Sequence, residues 1–298
     1  MTRNVAVIGD ATDPTTVHFL AECAAAGYKP RVVSLGDIVA TGGWHLAVPD
    51  DGCSRVWTAD AEVPLSDVGA FYCRLAGSRA QWPAEMEIRQ SGLLLSLRLW
   101  LTASRALVIN RPDIDQHNGA KSLHESELAR LGFSVPDSIS SSDISQLADF
   151  LRGGRAVIKA CCGMRANTRE LLIDRLREYS ADRGPLHLQR LIPGYDIRAH
   201  VVGAEVFAVR IDGGPAVDYR TDRHARYSAV TLPRELQAVL VEATRAQGMA
   251  FSGWDLKVDA DERVWCLESN PMPGYSFYDG HVGGDISKAL MRQLWEQP

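Results

Sequence analysis

The chain lacks paired C-x-x-C spacing, although it carries six cysteines: Cys23, Cys53, Cys73, Cys161, Cys162 and Cys266. Adjacent Cys161 and Cys162 suit neither a zinc site nor an easy disulfide. The expectation is buried, reduced thiols in a cytoplasmic protein. A basic excess is also missing. Net charge is −5 and the pI is about 5.9, whereas a general nucleic-acid binder is usually basic, so no nucleic-acid partner is expected. No apolar run approaches the roughly 20 residues that span a bilayer. The longest candidate, Leu93 to Leu101, is broken by Ser96 and Arg98, so no membrane partner is expected. Met1-Thr2-Arg3-Asn4 enters a short strand at once, with no signal-peptide pattern. Internal repeats and low-complexity segments are absent too. The remainder is an ordinary soluble composition of 298 residues, 46% hydrophobic and 23% charged, long enough for more than one core.

The apolar run Asn4 to Asp10 reads as a buried strand. Asp13-Pro14 then supplies an N-cap and a proline at the first helical position, and Gly27 a C-cap. With a second strand at Arg31–Leu35, this β-α-β opening implies a parallel sheet. It carries no G-x-G-x-x-G, since Gly9 stands alone, so the layer reads as scaffold. Residues 40–66 give no clear pattern. Beyond them the spacing predicts a strand ending at Arg74, a helix over Ala84–Ala103 and a strand closing at Pro112. A second unit begins near Asn118, with Lys121 on a helix, Asp143 capping another, and Lys159 at the end of the strand Ala156–Ala160. Cys161–Thr168 reads as a loop with one glycine, Gly163, and a helix is expected from there to about Ser180. The third unit runs from Leu186 through strands at Asp196–Val202 and Glu205–Ile211, a helix over Leu232–Ala246, and a terminal helix burying Ile286, Leu290 and Leu294.

The most informative stretch lies near the C-terminus. Gly253–Val258 and Val264–Pro271 read as two strands of a hairpin. Alternation sends Asp255 and Lys257 to one face and Trp254, Leu256 and Val258 to the other. It likewise puts Glu268 and Asn270 together and turns Trp265 and Leu267 away to pack. Two carboxylates and an amide oxygen thus converge, a hard-oxygen set suited to Mg²⁺, which leaves room for substrate phosphates. Taken singly, Lys121 or Lys159 would be read as solvated. Taken in order, each residue has a job if ATP is the ligand. Lys121 and Lys159 present point charges to a polyphosphate. The segment Gln189, Arg190, Leu191 and Ile192 presents backbone groups to an adenine edge. Asp196 accepts from ribose hydroxyls. Arg198, Arg210 and Arg220 clamp phosphate or carboxylate oxygens, and Asp255, Glu268 and Asn270 hold Mg²⁺.

In this order and spacing the chain resembles an ATP-grasp ligase of the branch containing glutathione synthetase and the RimK-type amino-acid ligases. Asp196-Ile197-Arg198 with Val201-Val202-Gly203, and Glu268-Ser269-Asn270-Pro271, carry the resemblance most specifically. Lys121 with Gly132-x-x-Val135-Pro136 adds to it. Asp218-Tyr219-Arg220, Leu232-Pro233 and Tyr72-x-Arg74 resemble the ligases that link side chains in ribosomal peptides. The resemblance implies an α/β fold, α+β in its C-terminal half. An N-terminal parallel α/β domain (1–115) would be followed by a small lid domain (116–185) and a catalytic domain (186–298), with ATP held between the last two. It implies ATP and two Mg²⁺ ions, a carboxylate–amine ligation through an acyl phosphate, a small-molecule or peptide substrate, and a homodimer. The competing readings are an ATP-binding regulatory or scaffold protein on the same fold, and a phosphotransferase. His18, His45, His187 and His281 are expected to be structural or exposed. His117, His200 and His224 lie near motif segments, and Tyr275, Ser276 and Tyr278 either line a substrate pocket or pack.

Overall fold

The computed structural model describes residues 3–50, 52–76, 82–161, 168–180, 182, 184–214 and 217–296, with the side chains of 115–118 left aside. The first layer is β1 (Val5–Gly9), α1 (Pro14–Ala25), β2 (Arg31–Ser34), α2 (Leu35–Thr41), β3 (Gly43–His45), β4 (Arg55–Trp57), β5 (Glu62–Pro64), β6 (Ala70–Cys73), α3 (Ala84–Ala103) and β7 (Leu107–Ile109). Its sheet is parallel in the order β2-β1-β6-β7. Asp13 caps α1 by accepting the Thr16 amide, as the Asp-Pro pair predicts. The unassigned stretch forms a small antiparallel sheet, β3-β4-β5. Its Val56 joins Leu93, Leu97 and Trp100 of α3 in one core.

The central elements are α4 (Lys121–Arg130), β8 (Ser138–Ser141), α5 (Ile144–Arg152), β9 (Ala156–Lys159), β10 (Arg169–Glu170) and β11 (Leu186–Arg190), in the sheet β10-β9-β11-β8. Two features differ from expectation. The helix expected up to Ser180 is a strand pair and a 3-10 turn, because Arg169 and Glu170 pair with Ile158 and Val157, while Leu176 is buried with Leu171 and Tyr179 packed beside it. Leu186–Arg190, grouped by sequence with the third unit, is hydrogen-bonded into the central sheet between β9 and β8. The loop positions 162–167, Arg165 included, lie outside the described residues.

The last elements are β12 (Tyr195–Val202), β13 (Glu205–Asp212), β14 (Arg226–Val230), α6 (Arg234–Ala246), β15 (Phe251–Val258), β16 (Val264–Asn270), α7 (Ser276–His281) and α8 (Asp285–Met291). They form an antiparallel sheet, β14-β13-β12-β15-β16. One face buries Ile197, Ala199, Trp254 and Leu256 against α6, and Leu128 of α4 joins that core. Ile286, Leu290 and Leu294 are fully buried, as their helical spacing predicts. They share a core with Val5, Val7 and Phe19 of the first layer and with Phe251 of β15. The parallel sheet is therefore packed directly onto α8 and the start of β15.

Candidate active site

A cavity of about 540 Å³ is lined from both the central and the five-stranded sheets. Of the residues singled out from sequence, Lys121, Lys159, Gln189, Arg190, Leu191, Ile192, Asp196, Arg198, Arg220, Asp255, Glu268 and Asn270 line it. Arg210 does not. The two-residue turn Gly203-Ala204 pairs Val202 with Glu205, which places Arg210 opposite Ile197 on the core face of the sheet. There it grips Asp212 at 2.8–3.1 Å and stacks 3.7 Å over the Tyr195 ring.

Asp255 and Glu268 face each other across β15 and β16. A β-bulge shifts the register here, so Leu256 pairs with Cys266 and Leu267 is the extra residue. The expected inward packing of Trp265 and Leu267 is thereby corrected. Cys266 enters the core, Leu267 lines the cavity beside Glu268, and the Trp265 indole donates to Asp259 at 2.7 Å. Cations alternate with these carboxylates. Lys121 Nζ is 2.9 Å from Glu268, and Arg198 Nη1 donates to Asp255 at 2.7 Å. Lys257 donates to Asp196 at 2.9 Å. Burial raises the Asp196 pKa against the pull of that ammonium. Arg198 is buried and sits over the Tyr278 ring. Gly253 makes room for it, since a Cβ there would stand 2.5 Å from Arg198 Nη2 and 2.6 Å from Pro273. Arg220 forks onto Asp218 at 2.6 and 2.8 Å, and Asp218 also accepts the Thr168 amide.

Lys159 donates to Gln189 at 2.7 Å, and Gln189 donates to Glu125 at 2.7 Å. Burial lowers the Lys159 pKa, with Glu268 and Glu125 opposing the shift. Glu125 also meets His187 at 3.0 Å and accepts a very short bond from Ser138. His187 is fully buried here. Glu125, which accepts from Gln189 behind the cavity, and His124, which accepts the Ser269 amide, are residues that motif reading passed over, whereas Asp218 and Tyr219 stand in the Asp218-Tyr219-Arg220 motif. Only the four-residue spacing from Lys121 to Glu125, one face of α4, could have flagged the first of them. The Arg190 and Leu191 amides are donated to Asp137 and Arg155 carbonyls, so neither is among the groups left for a base edge. Tyr278 lines the cavity and meets Tyr219 at 3.1 Å, whereas Tyr275 is wholly buried in the core. His200 is buried among Phe251, Tyr275 and Tyr278, and burial with the adjacent Arg198 charge pushes its pKa far down.

Similarity to solved structures decides the architecture. The macrocyclase MdnC of Microcystis aeruginosa, bound to its precursor peptide MdnA, superposes with a TM-score of 0.81 at 19% identity, covering 98% of this chain and 99% of that one. The chain has the ATP-grasp fold. That fold is the one of an ATP-grasp ligase associated with a ribosomal peptide in Chryseobacterium gregarium, solved in complex with ADP and a leader and core peptide. It also scores 0.81, at 16% identity over 98% of this chain and 96% of that one. The ATP-grasp ligase PsnB, complexed with a precursor variant, Mg and ADP, scores 0.78 at 22% identity over 98% of both chains. No family model matches the sequence. Among curated proteins, a probable alpha-L-glutamate ligase 2 of Shewanella amazonensis is 27% identical over 151 residues, 50% of this chain and 44% of that protein. A probable alpha-L-glutamate ligase of Stenotrophomonas maltophilia is 30% identical over 103 residues, 34% of this chain and 35% of that protein. The chain thus spans less than half the length of these curated relatives. Among the described residues no group of three or more His, Cys, Asp or Glu is poised for a metal. The oxygen set is two carboxylates and one amide, which fits Mg²⁺, an ion held through one or two carboxylates plus substrate phosphates.

Proposed function

We propose that the chain is an ATP- and Mg²⁺-dependent carboxylate–amine ligase, releasing ADP and phosphate as it forms an amide through an acyl phosphate. The observation that carries this reading is the cross-strand pair Asp255 and Glu268 in a cavity that also receives Lys121, Lys159, Arg198 and Arg220. The fold shared with MdnC and PsnB supports it, and the peptides in those complexes favour a peptide carboxylate as substrate.

In this reading Asp255, Glu268 and Asn270 hold the metal, which when bound neutralises phosphate charge during transfer. Lys121 and Lys159 set the polyphosphate, and Gln189 fixes the Lys159 ammonium. Leu191 and Ile192 enclose the base with their side chains and remaining carbonyls, and Asp196 takes the ribose. Arg198 and Arg220 hold carboxylate and phosphate oxygens in line for the attacking amine, so catalysis comes from positioning and charge. Tyr219 and Tyr278 form the wall next to Arg198 and bound the substrate side. We assign the three units the boundaries 1–115, 116–185 and 186–298, with β11 contributing its hydrogen bonds to the lid sheet.

The test pairs amide formation with nucleotide analysis. ADP and phosphate should appear one for one with the amide, and Asn270→Ala should abolish turnover while leaving nucleotide affinity largely intact. AMP and pyrophosphate would overturn the mechanism. Nucleotide binding without turnover across a panel of acidic peptides and amino acids would favour the regulatory alternative.

A further inference from the structure

The hydrogen bonds of Glu125 continue away from the cavity to the protein surface. Ser140 of β8 stands opposite His187 of β11. The Arg190 amide donates to the Asp137 carbonyl, so the hydrogen-bonded pairs of this ladder fall at 137, 139 and 141. Ser140 therefore sits in a non-hydrogen-bonded pair, where facing side chains come closest. Its Oγ is 2.8 Å from His187 Nδ1. The same ring reaches Glu125 through Nε2 at 3.0 Å. His187 and Glu125 are buried, whereas Ser140 is exposed.

The proton positions follow from the partners. Glu125 also accepts from Gln189 and Ser138, and its lowered pKa keeps it ionised. An ionised carboxylate only accepts, so the His187 proton is on Nε2. Nδ1 is then an acceptor and takes the Ser140 hydroxyl proton. The Ser122 hydroxyl, 2.8 Å from Ser140 Oγ, is the donor in that contact. An exposed serine is thus bonded to a neutral imidazole whose other nitrogen is held by a buried carboxylate. This order of groups activates a serine for attack. Donors for a developing oxyanion are close by. β8 ends its sheet, and the pairing turns the Ser140 N–H towards that edge. Ser122 lies in the first turn of α4, which has no side-chain cap for its amides.

We propose that Ser140 is a nucleophile towards small carboxylic esters, with His187 as its general base and Glu125 positioning the ring. Ser140 Oγ bonds to the ester carbonyl carbon as its proton passes to His187 Nδ1. The imidazolium, facing the Glu125 carboxylate, gives that proton to the departing alkoxide. Water then attacks the acyl-serine, again losing a proton to His187, and the carboxylic acid is released as Ser140 regains its hydroxyl. Neither Ser140 nor Ser122 lines the larger cavity, so this chemistry is distinct from amide formation.

The native full chain is treated with an alkyl fluorophosphonate, which loses fluoride to an activated serine, and the label is located by peptide mass spectrometry. One equivalent is expected on Ser140, while exposed Ser142 in the same segment should stay unlabelled. p-Nitrophenyl acetate should be cleaved with a burst that Ser140→Ala removes. That variant changes an exposed side chain and should keep the wild-type melting temperature and nucleotide affinity. His187→Gln should slow labelling about a hundredfold, the lower range for loss of a general base. No label on Ser140, equal labelling of Ser140 and Ser142, or an undiminished burst in Ser140→Ala overturns the proposal. The label ratio within the native chain decides without any variant. None of these results depends on the ligase reading, which stands or falls on ADP release.

Discussion

Glu125 organises more of the cavity than any residue the motifs named. It accepts from Gln189, meets His187 and takes the Ser138 hydroxyl, and through Gln189 it fixes the Lys159 ammonium. Burial opposes its ionisation, but the bonds from His187 and Ser138 outweigh this and leave its pKa below the usual 4.5. A lowered carboxyl pKa stabilises the folded state fully above 4.5, and that contribution is lost as the pH falls through the folded value. The melting temperature of the wild type should therefore drop more steeply than that of Glu125→Gln as the pH falls from 4.5 to the folded value. Parallel melting curves would sink this assignment. The contrast with Asp255 explains what was legible. Asp255 sits in an alternating strand whose face can be counted from sequence, whereas the partners of Glu125 arrive from strands 13 to 64 residues away. Arg210 shows a signal present and missed. The turn Gly203-Ala204 sets the pairing of its hairpin, and counting along it puts Arg210 beside Ile197 and off the face of Arg198.

At the scale of elements, the β15–β16 hairpin was readable in everything but its bulge. Strand limits, the shared face of Glu268 and Asn270 and the buried face of Trp254 and Leu256 follow from alternation. A single extra residue, Leu267, moves every side chain before it to the opposite face, and nothing in its identity announces that. The unassigned 40–66 stretch has a similar cause, because strands of three residues carry too little periodicity to read. Gly253 is where this hairpin tolerates least. Gly253→Ala would press its methyl on Arg198 and on the rigid ring of Pro273 at once. A loss of about 1–3 kcal/mol is expected from such overpacking, along with a fall in turnover larger than any fall in nucleotide affinity. Denaturant unfolding and nucleotide titration check the two parts. Wild-type stability in this variant would mean that Arg198 has room to move.

Across the whole molecule, the parallel layer reads from sequence as scaffold, and its own hydrogen bonds refine that. Arg74, 3% exposed, pairs with Asp13 and donates to the Pro273 carbonyl at 2.9 Å. Asn110 donates to Phe251 and Pro271 carbonyls and accepts the Ala250 amide at 2.8 Å. Together they grip the segments at either end of the β15–β16 hairpin. Removing one partner of a buried ion pair costs about 3–5 kcal/mol. Arg74→Ala should lose stability of that order by denaturant titration, and it should impair turnover although Arg74 does not line the larger cavity. Unchanged stability would show that Asp13 and the 272–273 carbonyls are satisfied without it. The same contacts limit how the chain can be recombined. Residues 1–115 look like a detachable module in sequence, but a chimera that imports another protein's first layer inherits a foreign grip on residues 250–251 and 271–273. Exchange is expected to succeed only when Asp13, Arg74 and Asn110 travel with the loop they hold.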